Sequence, residues 1–342
     1  MTLGDLDRYI GRLCGSEFEC SVFRPRFVEL TEFMVGDEIV DKVEEWFVDE
    51  CVELESVPVG VEELRALSVE CPVVAVDVSS LRIGETDRGI FAAYRVAVVE
   101  FNRENVSVER FGPYVFHLSE DNKLDYYVEF RGKLGLPGEP RRLPSLWKMV
   151  DRVRNFIERL FQRELCRVYK DAILLWDGSL TGGTVDTPMD VLSVSLEIAH
   201  ENGDHVVGVS KVSRVKGPDG RTLINLLEDE RRACFMDVHD LLSPNLRSRC
   251  LGRVLVVKFS PLGFTFRVDV AACKGEDFRV ILGKVASTCG MYGYPEPLRK
   301  AHVYAYLTAN EVLALQSYIV AKYGLTVLKP YDIRKVIFGP FG

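Results

Sequence analysis

Two short runs constrain the fold of this chain more than anything else in it. Pro72-Val-Val-Ala-Val-Asp77 and Asp171-Ala-Ile-Leu-Leu-Trp-Asp177 each hold an unbroken apolar stretch that ends on an aspartate. An uninterrupted apolar run of this length suits a strand covered on both faces, as in the centre of a helix-flanked sheet. A carboxylate there is costly to bury unless it is paired or holds a cation. If the two strands are parallel neighbours, both acids face the crevice outside their carboxyl ends.

The surrounding pattern predicts the rest of an α/β sheet. β-type runs at 89–101 and 106–118, joined by the turn Asn102-Arg-Glu-Asn105, make a three-strand meander with the first run. Residues 119–144 are polar, contain Pro137, Pro140 and Pro144, and read as a loop. A helix is expected over 145–169, before the second acid-tipped strand. Residues 178–184 form a loop, 188–202 a helix and 206–211 another strand. Later come β-type runs at 252–260 and 263–272 and a single helix over 297–323. Before the sheet, apolar spacing predicts helices at 37–55 and 61–67.

Charge divides the chain. The net charge is −8, which argues against a nucleic-acid partner if taken as a whole. Residues 1–70, however, hold 18 acids and 6 bases, leaving 33 acids and 37 bases in the other 272 residues. We therefore separate an acidic, mainly helical segment, 1–70, from a mildly basic body, 71–342. Three basic stretches in the body could line a DNA backbone: Arg141, Arg142, Lys148, Arg152 and Arg154; Arg214, Lys216 and Arg221; Arg247, Arg249 and Arg253. The nine cysteines include no Cys-x-x-Cys pair and are expected to be reduced. The amino terminus resembles no signal peptide and no run is long enough for a membrane span, so a cytoplasmic protein is expected.

Two facing aspartates suit a pair of hard divalent ions, Mn²⁺ or Mg²⁺, of the kind that stabilise both oxygens of a phosphodiester displacement. A third carboxylate should come from the helix crossing back between the strands. A strand of roughly 20 Å needs about 13 helical residues to span it. With a short loop, that puts the acid roughly 20 residues before Asp177. Glu158 lies 19 residues before it and Glu164 lies 13 before it. Glu164 sits on the apolar face with Ile157, Leu160 and Phe161, whereas Glu158 is on its flank. Glu158 is the better placed along the axis, and Glu164 is the alternative.

Four motifs occur in order: Val73-Val-Ala-Val-Asp77-Val-Ser-Ser80, Leu174-Leu-Trp-Asp177-Gly-Ser-Leu180, Gly208-Val-Ser-Lys211 and Tyr294-Pro-Glu-Pro-Leu-Arg-Lys-Ala-His302. This ordered set resembles the NurA nuclease family of archaea and some bacteria, over residues 70–310. The resemblance implies a ribonuclease-H-like mixed sheet flanked by helices, a homodimer, and Mn²⁺-dependent 5′-to-3′ exonuclease activity on DNA, with endonuclease activity on single strands. It also implies a HerA-type hexameric ATPase as partner in resecting duplex ends for recombinational repair. Asp77, Asp177 and Glu158 match the family's metal-binding acids, and Tyr294 and His302 its late tyrosine and histidine. His302 would join the metal ligands, and Lys211 would contact the scissile phosphate. One departure is Val78, where the first motif often has glycine, putting a bulkier side chain beside the metals. A non-catalytic adapter that binds and tunes a DNA-translocating ATPase, with 1–70 as its docking arm, is the alternative function. No Walker phosphate loop is present, so ATP use would belong to the partner.

Overall fold

In a computed structural model of the chain, residues 2–14, 26–28, 54–56, 60–102, 105–136, 143–184, 187–273 and 275–328 are described. Helix α1 (Leu3–Cys14) and two short strands, β1 (Arg26–Val28) and β2 (Glu62–Glu63), precede the long meander of β3 (Val73–Glu85), β4 (Gly89–Asn102) and β5 (Asn105–Ser119). Helices α2 (Lys123–Lys133) and α3 (Leu146–Val168) lead to β6 (Ile173–Asp177), and α4 (Met189–Glu201) leads to β7 (His205–Ser210). Strand β8 (Cys234–Asp237), the short α5 (Pro244–Arg247) and the hairpin β9 (Arg253–Lys258) with β10 (Thr265–Ala271) follow. The described chain closes with α6 (Phe278–Ser287), α7 (Glu296–Ala305), α8 (Ala309–Tyr323) and β11 (Thr326–Leu328).

The sheet order runs β5-β4-β3-β6-β7-β10-β9-β8. The first three strands pair antiparallel, and β6 and β7 then add parallel to β3. Three meandering strands followed by two parallel ones entered through helices are the ribonuclease-H-like arrangement. On the far side, β10 pairs antiparallel with β7 and carries the sheet on.

Alternation along the central strands serves two cores. Val74, Val76 and Val78 of β3, with Leu174 and Trp176 of β6, pack against Val153, Ile157 and Leu160 of α3. Val73 and Ala75, with Ile173 and Leu175, face Ile281 and Leu282 of α6 and Leu298 and Ala301 of α7. Burial on both faces is why these strands read as continuous apolar runs.

The predicted strands and the helices over 145–169 and 188–202 are all present. Four expectations need correction or limit. Residues 119–144 are not a loop throughout: α2 forms there, buried through Tyr126, Tyr127 and Phe130. Its apolar face is narrow and aromatic, and the prolines follow it. Residues 61–67 are not a helix. Glu62 and Glu63 pair with the open edge of β8, which places Leu64 in the second core and gains ladder hydrogen bonds. The single helix over 297–323 is two, because Tyr306 is extended and Thr308 starts α8 with a capping box to Glu311. The predicted helix at 37–55 lies, but for its last two residues, outside the described residues.

The described parts of 1–70 are tied into the body. Leu6 and Ile10 of α1 are fully buried in the first core, and the Tyr114 hydroxyl donates to Asp7 at 2.5 Å. Strand β1 pairs with β3 and β11. Cys71, Cys166, Cys234, Cys250, Cys273 and Cys289 are free thiols. No helix among the described residues is long and apolar enough to cross a membrane.

Candidate active site

The parallel register of β3 and β6 ends at Val76 opposite Trp176, so Asp77 and Asp177 stand side by side one step further on. Both fall on the alternation that faces α7. There β6 ends, and Gly178 takes φ 111° to turn the chain away, a conformation that favours glycine. The turn is held from two sides. Gly178 N–H donates to the Val209 carbonyl at 3.0 Å, and Leu180 N–H donates to the Asp269 carboxylate at 2.9 Å. Asp269 is itself fully buried against Arg267. Gly208 permits this approach, since a Cβ there would lie 2.6 Å from the Gly178 carbonyl.

At Asp77 no such turn occurs. Strand β3 continues to Glu85, and Val78 points into the α3 core at 3 % exposure. The expectation that Val78 sits beside Asp77 needs correction: alternation sends it to the other face of the sheet, the α3 side from which Glu158 approaches.

Each aspartate has a basic partner. His302, on an exposed stretch of α7, meets Asp77 through Nδ1 at 2.8 Å. Lys211, just past the end of β7, donates from Nζ to Asp177 at 2.8 Å. The Tyr294 ring stands near Asp177, and Lys211 Nζ lies 5.0 Å from the centre of that ring. Burial, with the charges of Asp177 and Asp77, holds the Tyr294 phenol well above its ordinary range.

Glu158 approaches from the opposite layer, on the flank of the apolar stripe of α3. Since β6 stops at Asp177 while β3 runs on, the sheet is open there and Glu158 can face the acids. Burial pushes its carboxyl up to about 7. Arg159 and Arg154 oppose that rise, while Asp77 and Asp177 add to it. Gln162 donates to Glu158 at 3.2 Å, and Arg159 donates to Gln162 at 2.7 Å and to the Thr187 hydroxyl at 3.1 Å. Glu164 is elsewhere: it is fully buried and ion-paired with Arg167. Thus Asp77, Asp177, Glu158, Lys211, Tyr294 and His302 are brought to one place, and Glu164 is not.

The sequence matches no protein-family model and no curated protein. Solved structures do resemble it. The NurA nuclease from Sulfolobus solfataricus is 16 % identical with a TM-score of 0.46, over 77 % of this chain and 88 % of that one. A structure described as NurA bound to dAMP and manganese is 10 % identical with a TM-score of 0.42, over 81 % and 91 %. Endonuclease V from Streptomyces avermitilis is 13 % identical with a TM-score of 0.33, over 77 % and 88 %.

The basic stretches are only partly available to a ligand. Arg253 is engaged by Asp237 and Asp240, and Arg221 by Asp219. Arg249 donates to the Gly182 carbonyl. Arg214 and Lys148 are exposed, while Arg141 and Arg142 lie outside the described residues. Sequence reasoning missed Arg159, whose place next to Glu158 on a half-buried helix flank was the available signal. It also missed the Arg267–Asp269 pair, because the two residues act on a loop nearly ninety positions away in sequence.

Proposed function

We propose that this chain is a metal-dependent nuclease acting on DNA. The observation that carries the reading is the pairing of Asp77 and Asp177 across neighbouring parallel strands where the central sheet opens, with the Glu158 carboxyl near enough to feel both charges. Mutual repulsion and burial keep Glu158 near the edge of ionisation. Such a site stores unfavourable charge that a divalent cation would relieve.

Oxygen donors of this kind fit Mn²⁺ or Mg²⁺. Among the described residues no group of three or more His, Cys, Asp or Glu side chains stands as a ready-made metal cluster. The donors fit all the same: Asp77 and Asp177 are oxygen donors on adjacent strands, and the Lys211 that holds Asp177 is half-exposed, so a cation can replace its charge there. Asp77, Glu158 and Asp177, with His302, would hold the ions. When bound, such ions supply positive charge to a phosphate and lower the pKa of a bound water.

The chain's own groups have separate tasks. Lys211, released from Asp177, offers a point charge to a non-bridging phosphate oxygen. The raised pKa of Tyr294 keeps its hydroxyl protonated, so it donates to phosphate or to Asp177 and does not act as a base. Asp77 orients the His302 ring through Nδ1. Asp269 and Gly178 hold the backbone that places Asp177.

From the resemblance of its motif set we extend the reading to 5′-to-3′ exonuclease and single-strand endonuclease activity, dependent on Mn²⁺. The same resemblance supports a cytoplasmic homodimer that works on duplex ends with a HerA-type ATPase in recombinational repair. On this reading residues 71–342 form the nuclease body, and the described parts of 1–70 pack onto it.

The test is direct. Purified protein is incubated with an end-labelled single strand and Mn²⁺, without ATP. Shortened products are expected, and EDTA should abolish them. No cleavage with Mn²⁺, Mg²⁺ or Co²⁺, together with stimulation of a DNA-translocating ATPase, would favour the non-catalytic adapter instead.

A further inference from the structure

A cavity of about 830 Å³ opens beside the acids. Lys211, which donates to Asp177, and Tyr294 form part of its wall, so it is continuous with the candidate active site. Its farther wall holds Lys258, Phe264 and Tyr292, none of which the proposed chemistry uses.

Lys258 is the informative residue. It ends β9 and is 5 % exposed, yet its Nζ has only the Glu228 backbone carbonyl, at 3.2 Å, as acceptor. No carboxylate among the described residues forms an ion pair with it. Two acids share the cavity wall: Glu296 is taken by Arg299 at 2.6 Å, and Glu228 is exposed and makes no ion pair with Lys258 among the described residues. Lys258 is thus a cation in the wall of a space large enough for a ligand, with donor capacity left over.

The two rings are the second observation, independent of the first. Phe264 and Tyr292 are 67 % and 61 % exposed, with ring centres 6.3 Å apart at 33°. They come from separate loops that are bound together. Phe264 N–H donates to the Tyr292 carbonyl at 3.1 Å, and the Ser260 hydroxyl donates to the Met291 carbonyl at 3.0 Å. Gly263 allows the contact, since a Cβ there would fall 2.7 Å from the Tyr292 oxygen. Fixed, solvent-facing aromatics and a cation lining one cavity suit a ligand that has both a flat ring and an anion.

We propose that this cavity is a nucleotide subsite. It receives the nucleotide next to the scissile phosphate, with the base stacked on Phe264 and Tyr292 and a phosphate oxygen held by Lys258. The position relative to the scissile phosphate rests on the nuclease reading above, whereas the nucleotide binding itself does not.

The experiment measures affinity without turnover. The probe is a 5′-phosphorylated thymidine tetranucleotide with a 3′ fluorophore, titrated by anisotropy in EDTA. Phe264→Ala should weaken binding about tenfold, as loss of one stacked base predicts. Phe264→Trp should retain it, and Lys258→Met should weaken it to a similar degree. A tetranucleotide of abasic residues should bind wild type no better than it binds Phe264→Ala. Phe264 is exposed, so its variants carry the test even if Lys258→Met fails to fold. Wild-type affinity in both Phe264→Ala and Lys258→Met overturns the subsite, as does failure of wild type to bind the tetranucleotide. Cleavage of a long strand with Mn²⁺ reports separately on the nuclease reading, because the affinity measurement contains no metal.

Discussion

Replacing Asp77 or Asp177 by alanine is expected to lower Mn²⁺-dependent cleavage of a labelled single strand by about a thousandfold or more, with the fold intact. The size follows from the several kcal/mol that a correctly held metal contributes to a phosphoryl-transfer barrier. The two residues are neighbours across a parallel register and their carboxylates serve one site, so each loss should be nearly complete and the double variant little worse. Stability should change little. Asp77→Ala frees an exposed histidine from a hydrogen bond, and Asp177→Ala frees a half-exposed lysine from an ion pair, each contact worth about 1 kcal/mol or less. Circular dichroism and a thermal melt check the fold, and a time course on denaturing gels checks cleavage. Cleavage retained in either variant would remove that residue from the mechanism.

Glu158→Gln is expected to abolish cleavage while making the metal-free protein more stable at pH 8. In the fold its carboxyl is pushed up to about 7, whereas in the unfolded chain it ionises near 4.5. Between these values the native state binds more protons than the unfolded state, so the contribution of Glu158 to stability falls as pH rises from about 4.5 to about 7. Above pH 7 the accumulated cost is about 3 kcal/mol, from roughly 2.5 pH units at 1.36 kcal/mol each. Glutamine keeps the shape and the Gln162 contact without the charge. Denaturant melts in EDTA should therefore separate variant and wild type at pH 8 and bring them together at pH 4. Adding Mn²⁺ should stabilise wild type and leave the variant little changed. A variant less stable than wild type at pH 8 would mean that burial and the neighbouring acids do not disfavour the charged form of Glu158.

Much of this arrangement was legible in the sequence, and the reasons are specific. Asp77 and Asp177 stood out because both strands are buried on two faces, so an acid at the end of each run breaks the pattern. Glu158 could be placed by length alone, since a helix must run back along the strand it follows. Its access to the aspartates from the opposite layer could not, because that depends on β6 stopping while β3 continues. Val78 was misread for a related reason: next to Asp77 in sequence, it is on the other side of the sheet. The break between α7 and α8 had a visible marker in Thr308 and Glu311, but the apolar spacing ran across it. Helix α2 was hidden by prolines that follow it. Lys258, Phe264 and Tyr292 were not legible, because the cavity wall is assembled from loops that meet only through tertiary hydrogen bonds.

The most direct test of the central claim is a crystal of the protein soaked with Mn²⁺ and examined by anomalous scattering at the manganese edge. The account predicts anomalous density at the open end of β6, in contact with the carboxylates of Asp77, Asp177 and Glu158, with Lys211 swung away from Asp177. No manganese there in fully soaked crystals, or an ion bound by Glu164 in place of Glu158, would contradict it.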